Sequence, residues 1–494
     1  VNPVTTGVSF EGNTVYSSEV LTKFMDIQPG QVLNSVSVGQ KVQGINAAYA
    51  RDGYMLAHVD GIRVDDQGIL HIHIVEGVVE DIIPAGNKKT RNKVITREFV
   101  QKKGKPFNKF LVRRSVERVY NLGFFDDVNV RMLPGDQDPN NVIIEIDVLE
   151  HKTGTITLGA GYSKSDGLMG IIEFGEDNFR GTGDKFKVHW EIGGKKKYKN
   201  YQISYLKPWI DHRGTSLGFS FFNREDEYTD YNEDGNEVAE YNKKSRGFNI
   251  SFGRQTGEYT RDYLTLESRK DSYKWDDDDS SGFRYDKNAG KGKNWNNGSY
   301  NFANDKYVDK NFGRINSITW QKVYDSRDNI YEPTRGRRIS YTAQWAGHGL
   351  GGDFDFYKFT AEARMYKKLG AKNVLAFRAR GGFIQGDAPY SQLFTLGGAD
   401  SLRGYEDDQF RGKYMYNATL EFRFPIVKKV SGVLFTDIGD AWDAPNVTWY
   451  NSKKTFNYGV GAGVRITTPI GPVKLDYGVG KHKNKFHFSF GTQF

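Results

Sequence analysis

Cysteine is absent from this chain of 494 residues, which excludes a disulfide scaffold, a thiolate metal site and a thiol nucleophile. No run approaches the roughly 18 to 20 apolar residues that a spanning helix requires, so a helical membrane protein is excluded. Hydrophobic residues make up 37% and mean hydropathy is −0.64, values shared by soluble proteins and by membrane barrels, whose strands alternate lipid-facing and lumen-facing side chains. What is abundant decides between them. Glycine (56) and Tyr plus Phe (62) suit long amphipathic strands with aromatic girdles better than a soluble core of this size. The chain opens Val1-Asn2-Pro3 with no basic and apolar leader, so export has to be argued from the strands.

Charge is uneven. Residues 1–77 carry 4 basic and 8 acidic side chains, residues 78–151 carry 13 and 11, and twelve of the basic ones lie between Lys88 and Arg118. This cluster reads as a solvated helical face, the alternative being a surface near anionic lipid headgroups. Its aromatics are only Phe99, Phe107 and Phe110, and no nucleic-acid partner is expected.

The first 150 residues hold an internal repeat. Gly12-Asn13 recurs as Gly86-Asn87, Gly30 as Gly104, Leu33-Asn34 as Phe107-Asn108, Gly53-Tyr54 as Gly123-Phe124, and the strand ending at Glu76 as the one ending at Glu150. Such regularity marks duplicated modules, here 1–77 and 78–151. Each predicts a strand, two helices (Ser17 to Met25 and Val36 to Arg51; Lys93 to Lys102 and Lys109 to Leu122) and two alternating strands (Ala57 to Val64 and Ile69 to Val75; Val128 to Leu133 and Val142 to Leu149). The unit is β-α-α-β-β.

From about residue 152 period-2 alternation takes over. Thr155, Thr157, Gly159 and Gly161 face away from Ile156, Leu158 and Tyr162, and at the other end Phe486, Phe488, Phe490 and Phe494 face away from His487, Ser489, Gly491 and Gln493. Sixteen such segments can be counted, an even number of antiparallel strands, which predicts a transmembrane β-barrel over 152–494. A closed sheet also satisfies every backbone N–H and C=O in lipid. The long polar insertions, 223–246, 271–310 and 386–412, all follow odd strands and so share one side, with the short turns facing the periplasm.

Strings resembling enzyme sites fail on context. Gly214 to Gly218 matches G-x-S-x-G, but a strand follows where a helix is needed. Gly347 to Gly352 matches G-x-G-x-x-G, but it too precedes a strand. His71 and His73 lack a third ligand, and Asp276 to Asp279 reads as solvated charge rather than a calcium site. No catalytic residue, metal or cofactor is expected.

The string Leu396 to Tyr405, with Leu402-Arg403-Gly404-Tyr405 at its end, resembles the loop motif of the outer-membrane assembly family that includes BamA, TamA and the two-partner secretion transporters. Phe435 to Gly439 is similar to that family's F-x-D-x-G strand motif, Tyr324 to Gly336 to a characteristic turn, Phe494 to its terminal aromatic, and the repeats to POTRA modules. The resemblance covers nearly the whole chain and is strongest to the BamA type. It implies that Arg403 reaches down the lumen to Asp437, that Gly439 belongs to the same motif, and that the barrel closes weakly between its first and last strands. The glycines at 159, 161 and 491 supply a physical reason for weak closure. An opened seam exposes unpaired backbone until an incoming strand pairs with it, so the implied activity is insertion of unfolded barrel clients into outer-membrane lipid by strand addition. The edge strands of the modules, with Val59, Ile62 and Val64 and with Val128 and Val130, would accept client or accessory-subunit segments by β-augmentation. A TamA-like factor or a two-partner secretion pore is the alternative. The latter branch carries an N-terminal plug helix, and nothing before Val8 predicts one.

Overall fold

The computed structural model describes residues 4–163, 167–193, 198–231, 234–235, 237–274, 293–295, 300–302, 312–329, 332–444, 453–468, 471–481 and 483–490. They form two compact units, residues 1–155 with 175–185, and residues 156–174 with 186–494.

In the first unit, β1 (Gly7–Glu11), α1 (Ser18–Met25), α2 (Ser35–Arg51), β2 (His58–Val64) and β3 (Ile69–Val75) make one module. The second comprises β4 (Val79–Ala85), α3 (Asn92–Thr96), α4 (Lys109–Tyr120), β5 (Phe125–Pro134) and β6 (Val142–Glu150). Their sheets are ordered β1-β3-β2 and β4-β6-β5, with one parallel and one antiparallel pair each. The repeated residues explain the repeated fold. Asn34 and Asn108 are both N-caps, their side chains accepting from the first-turn amides of α2 and α4, which would otherwise lack partners. Gly12 and Gly86 both adopt left-handed φ, +83° and +81°, with their Cα facing the carbonyls of Ile74 and Val148, where a Cβ would not fit. Glu76 and Glu150 then clamp the following turn. Glu76 accepts from the amides of Thr14 (2.8 Å) and Val15 (2.9 Å) and from the Tyr49 hydroxyl (2.9 Å), and Glu150 from the amides of Lys88, Lys89 and Thr90 at 2.9, 2.8 and 2.6 Å.

Burial pushes the Glu150 carboxyl up, but the bonds from Thr90, Lys89 and Lys88 outweigh it and hold the group below the usual carboxylate range. Its contribution is therefore present above the unfolded pKa of about 4.3 and is lost as pH falls through the lower folded value. Glu150→Gln should cost about 1 kcal/mol, read as faster amide hydrogen exchange at Lys88 to Thr90; unchanged exchange there would show that the clamp is idle.

The segment expected as a helix over Lys93 to Lys102 is helical only to Thr96. Its end is captured by the neighbouring helix: Ser115 Oγ on α4 accepts from the amides of Val100 and Gln101 at 2.8 and 3.2 Å. Four of the five edge-strand residues point inward. Val59, Val64, Val128 and Val130 pack on the module cores, and Ile62, past a register shift between Val59 and Gly61, is 47% exposed. What β2 and β5 offer at their edges is backbone, not these side chains.

The second unit is built from sixteen long strands: β7 (Gly154–Ser163), β8 (Gly167–Phe179), β9 (Asp184–Gly193), β10 (Tyr198–Lys207), β11 (Ser216–Tyr231), β12 (Glu237–Gln255), β13 (Thr260–Lys274), β16 (Gly313–Asp325), β17 (Gly336–Ala346), β18 (Phe356–Leu369), β19 (Asn373–Gly386), β22 (Tyr414–Val427), β23 (Val430–Trp442), β24 (Asn457–Thr468), β25 (Gly471–Gly480) and β26 (Asn484–Phe490). Two small hairpins interrupt the series, β14 (Lys293–Trp295) with β15 (Tyr300–Phe302), and β20 (Phe394–Leu396) with β21 (Phe410–Gly412). One face of the large sheet carries Phe219, Phe221, Trp320, Trp345, Tyr357, Phe377 and Leu434, all exposed, while the other buries Arg378, Asn417, Glu421, Arg423, Asp437, Arg465 and Asp476. Apolar side chains outside and charged ones inside invert the order of a water-soluble sandwich. A sheet of this width curls on itself, and its outside then meets lipid.

Two of the three insertions differ from expectation. Residues 223–246 continue the β11–β12 ladder from Asn223↔Arg246 to Tyr231↔Glu237; backbone pairing in a long hairpin needs no apolar face, so the polar composition concealed the strands. Residues 386–412 are not a solvated loop: Tyr390, Leu393, Phe394, Leu396, Leu402, Tyr405 and Phe410 join Ile315, Phe354 and Phe356 in an apolar core. Asp276 to Asp279, Gly491 and Phe494 lie outside the described residues.

Candidate functional site

The fold of residues 386–412 sets Leu402 to Tyr405 against the inner faces of β22 to β26. Leu402 is fully buried in the apolar core, and the next residue meets a charged wall. Asp437 on β23 receives Arg403 Nε at 2.7 Å, Nη2 at 2.8 Å and the Arg403 amide at 3.1 Å. The fork matches the carboxylate in geometry as well as charge. Arg403 Nη1 also meets Glu421 on β22 at 2.7 Å and Asp476 on β25 at 3.4 Å. Glu421 pairs further with Arg423 at 2.8 Å, and Asp476 with Arg465 on β24 at 2.6 Å. Three guanidinium groups thus balance three carboxylates, each side chain at most 7% exposed. Burial works against the charge of Arg403, but Asp437, Glu421 and Asp476 outweigh it and raise its pKa above the ordinary arginine value.

The residues around this network read as one design. Phe435 and Asp437, two apart on β23, face the same side, and the Arg403 guanidinium lies 3.4 Å from the Phe435 ring centroid, a cation–π contact. Gly439 completes that row, its Cα so close to β22 that a Cβ would stand 2.8 Å from the Tyr416 carbonyl oxygen. Asn417 ties the loop from its other side, donating to the Ser401 carbonyl at 3.0 Å. Gly404, at φ +97°, presses its backbone on β25, where a Cβ would come within 2.6 Å of the Gly480 amide. The wall is correspondingly bare: a Cβ on Gly478 would reach the Gly404 amide at 2.5 Å, and one on Gly459 would collide with the Arg403 carbonyl. Gly459→Ala should therefore lift the loop, read as protease cleavage within Gly397 to Gln409; resistance equal to wild type would show that the wall yields instead.

The loop also touches the last strand. The Gly404 amide donates to His487 Nε2 on β26 at 3.0 Å, so His487 is the neutral tautomer protonated on Nδ1. Tyr405 accepts from the Lys481 amide and donates to the Tyr458 carbonyl, both at 3.0 Å.

A family model described as the Omp85 superfamily domain matches residues 178–494, nearly two thirds of the chain. The chain belongs to the Omp85 superfamily. The two modules match the POTRA model, surface antigen variable number repeat, at 3–77 and 78–151. Among related Omp85 sequences, outer membrane protein assembly factor BamA of Nitratidesulfovibrio vulgaris is 25% identical over 99% of this chain and 61% of its own length, and that of Neisseria meningitidis serogroup B is 24% identical over 99% and 66%. The chain thus spans less than two thirds of either. Outer envelope protein 80 of rice chloroplasts is 24% identical over 98% of this chain and 73% of its own length. The crystal structure of BamA from Haemophilus ducreyi lacking POTRA domains 1–3 superposes with a TM-score of 0.67 at 20% identity, each chain covered completely, and CdiB from Escherichia coli with 0.66 at 14%, covering all of this chain and 89% of that one. This Omp85 protein is an outer-membrane barrel with periplasmic POTRA modules.

The residues expected at the seam fall on the two ends of the Omp85 sheet. Among the described residues the strand order runs from β26 to β7. Every described side chain of β7, from Gly154 to Gly159, is exposed, including Thr155 and Thr157 on one face and Ile156 and Leu158 on the other. On β26, Phe486 and Phe488 are 60% and 57% exposed while His487 is buried under the loop. Gly161 continues the β7 backbone and Phe490 ends β26. Sequence reasoning reached Arg403, Asp437 and Gly439 through motifs, but missed Glu421, Arg423, Arg465, Asp476 and His487. Their only signal was charge at alternate positions of β22, β24, β25 and β26, which marks a lumenal face without saying which strands bring their charges together.

Proposed function

We propose that this protein folds and inserts β-barrel proteins into the outer membrane, adding client strands at a seam between β7 and β26, with residues 1–77 and 78–151 as client- and subunit-facing modules and 152–494 as the barrel. The observation that carries this reading is the asymmetry of the sheet ends: β26 is held to the lumenal loop through His487, whereas β7 is exposed on both faces. A fixed strand beside a bare one is a template with one movable edge. Separating the ends exposes backbone groups in lipid, each costing several kcal/mol, and an incoming strand removes that cost by pairing. No covalent step is needed. The names of its relatives, outer membrane protein assembly factor BamA, support the reading.

The test is reconstitution. Liposomes containing the protein should fold a urea-unfolded outer-membrane barrel on the order of tenfold faster than empty liposomes, a barrier change of about 1.4 kcal/mol, scored by the heat-modifiable gel shift of the client. The second reading is export of one dedicated protein through the lumen. It is favoured by a cavity of about 530 Å³ lined by polar residues of β8 to β11, among them Glu173, His189, Asn200 and Arg224. No acceleration for any barrel client, with one secreted protein retained in cells lacking the chain, would establish export and remove insertion.

A further inference from the structure

Beside the Arg403 network, on the strands that continue the sheet from β22 through β19 to β17, register lines up like charges. Arg338 on β17 stands directly opposite Arg364 on β18, and Arg364 directly opposite Arg378 on β19. One row along, Arg380 stands opposite Glu362. Four guanidinium groups on three neighbouring strands thus surround a single carboxylate, and of the four Arg378 also donates Nη2 to the Asp400 carbonyl at 2.6 Å and to Asn417 Oδ1 at 3.0 Å. Glu362 Oε1 is already engaged by Arg338 Nη1 at 3.1 Å and Arg364 Nε at 2.7 Å. The other nearby carboxylates are committed elsewhere: Asp325 to Arg327 at 2.7 Å, with Arg338 only at 4.0 Å, and Asp400 to Lys474 at 2.7 Å. Arg380 makes no hydrogen bond or ion pair among the described residues, and its Nε is buried. Like charges directly opposite in a sheet destabilise it, and a buried guanidinium nitrogen without an acceptor is costly. The Arg403 network, with three cations for three anions, shows that this barrel balances its lumenal charge where only structure is at stake.

We propose that the arginine quartet is a binding site for a phosphate-class oxyanion, held by Arg364 and Arg380 with Glu362 orienting Arg364 and with Arg338 and Arg378 adding positive charge beside them. Three net positive charges favour a dianion over a single carboxylate, and the Arg380 guanidinium together with Nη1 and Nη2 of Arg364 can give a tetrahedral anion N–H donors from adjacent strands. The same chemistry is carried by free phosphate and by the phosphomonoester of a lipid headgroup.

Calorimetric titration of the whole chain, in a phosphate-free non-ionic detergent at constant ionic strength, separates the sources by using inorganic phosphate and glycerol 3-phosphate in turn. Saturable binding near one per chain is expected for at least one of them. Binding of both assigns the site to the phosphate group itself, and binding of glycerol 3-phosphate alone assigns it to a headgroup. Arg380→Gln should weaken binding by about tenfold, as loss of a charge-assisted pair does, while Arg131→Gln on a module surface leaves it unchanged. If Arg380→Gln yields no heat-modifiable barrel, Arg380→Lys, which keeps the charge and loses the fork, should still weaken binding. Affinity unchanged in the Arg380 variant that folds, or neither probe binding above chloride, would overturn the assignment.

Discussion

Arg403→Ala is expected to leave the barrel strongly destabilised and its activity lost. All three hydrogen bonds that Asp437 receives among the described residues come from Arg403, two from its fork and one from its amide. Asp437 is fully buried, so truncation strands a carboxylate with one amide donor. Removing one partner of a buried pair costs about 3–5 kcal/mol, much of it the penalty of the charge left behind. Glu421 and Asp476 lose less, because Arg423 and Arg465 remain. The expected readouts are a lower temperature for loss of the compact gel form, a lower urea midpoint and failure to support barrel assembly in cells. Arg403→Lys should fall between, since an ammonium cannot serve Asp437 and Glu421 through a planar fork. The double variant Arg403→Ala with Asp437→Ala should be less impaired than the two single effects added, because it removes the stranded charge. Wild-type stability and function in Arg403→Ala would remove the idea that this contact pins the loop.

The second large effect concerns the seam. One cysteine placed within Thr155 to Gly159 and one within Lys485 to Ser489 can be oxidised without competition, because the chain has no cysteine of its own. A client strand paired to both β7 and β26 sets them two strand spacings apart, about 9.6 Å, whereas a disulfide holds Cα atoms within about 7 Å. The locked barrel cannot admit a strand. Client folding in proteoliposomes should drop to the rate of empty liposomes on oxidation and return on adding reductant. A locked protein that still inserts clients at full rate would place strand addition away from this seam, whatever the fate of the Arg403 prediction.

How much of this was legible beforehand follows from the range of each interaction. Period-2 alternation is a property of neighbouring residues, so the sixteen strands and the inward position of Asp437 could be read from the chain. The module repeat was legible for the same reason: Asn34 and Asn108 cap the helix that follows them, and Gly12 and Gly86 turn the chain locally. The polar hairpin over residues 223–246 was not legible, because its strands lack the apolar face that period-2 reading detects. Nor was the early end of α3, which depends on Ser115 from another helix.

Composition and periodicity determined a membrane barrel behind two repeated modules, and the family resemblance carried by two short motifs implied POTRA modules and an arginine aimed at an aspartate. The tertiary structure alone decided what surrounds that pair. Arg403, Glu421, Asp437, Arg465 and Asp476 are dispersed over 74 positions, and only strand order and register bring them within hydrogen-bonding distance. The same register aligns Arg338, Arg364 and Arg378 in one row. Side-chain alternation is set residue by residue, whereas register is set by pairing along whole strands, and a shift of one residue would turn every one of these charges toward lipid.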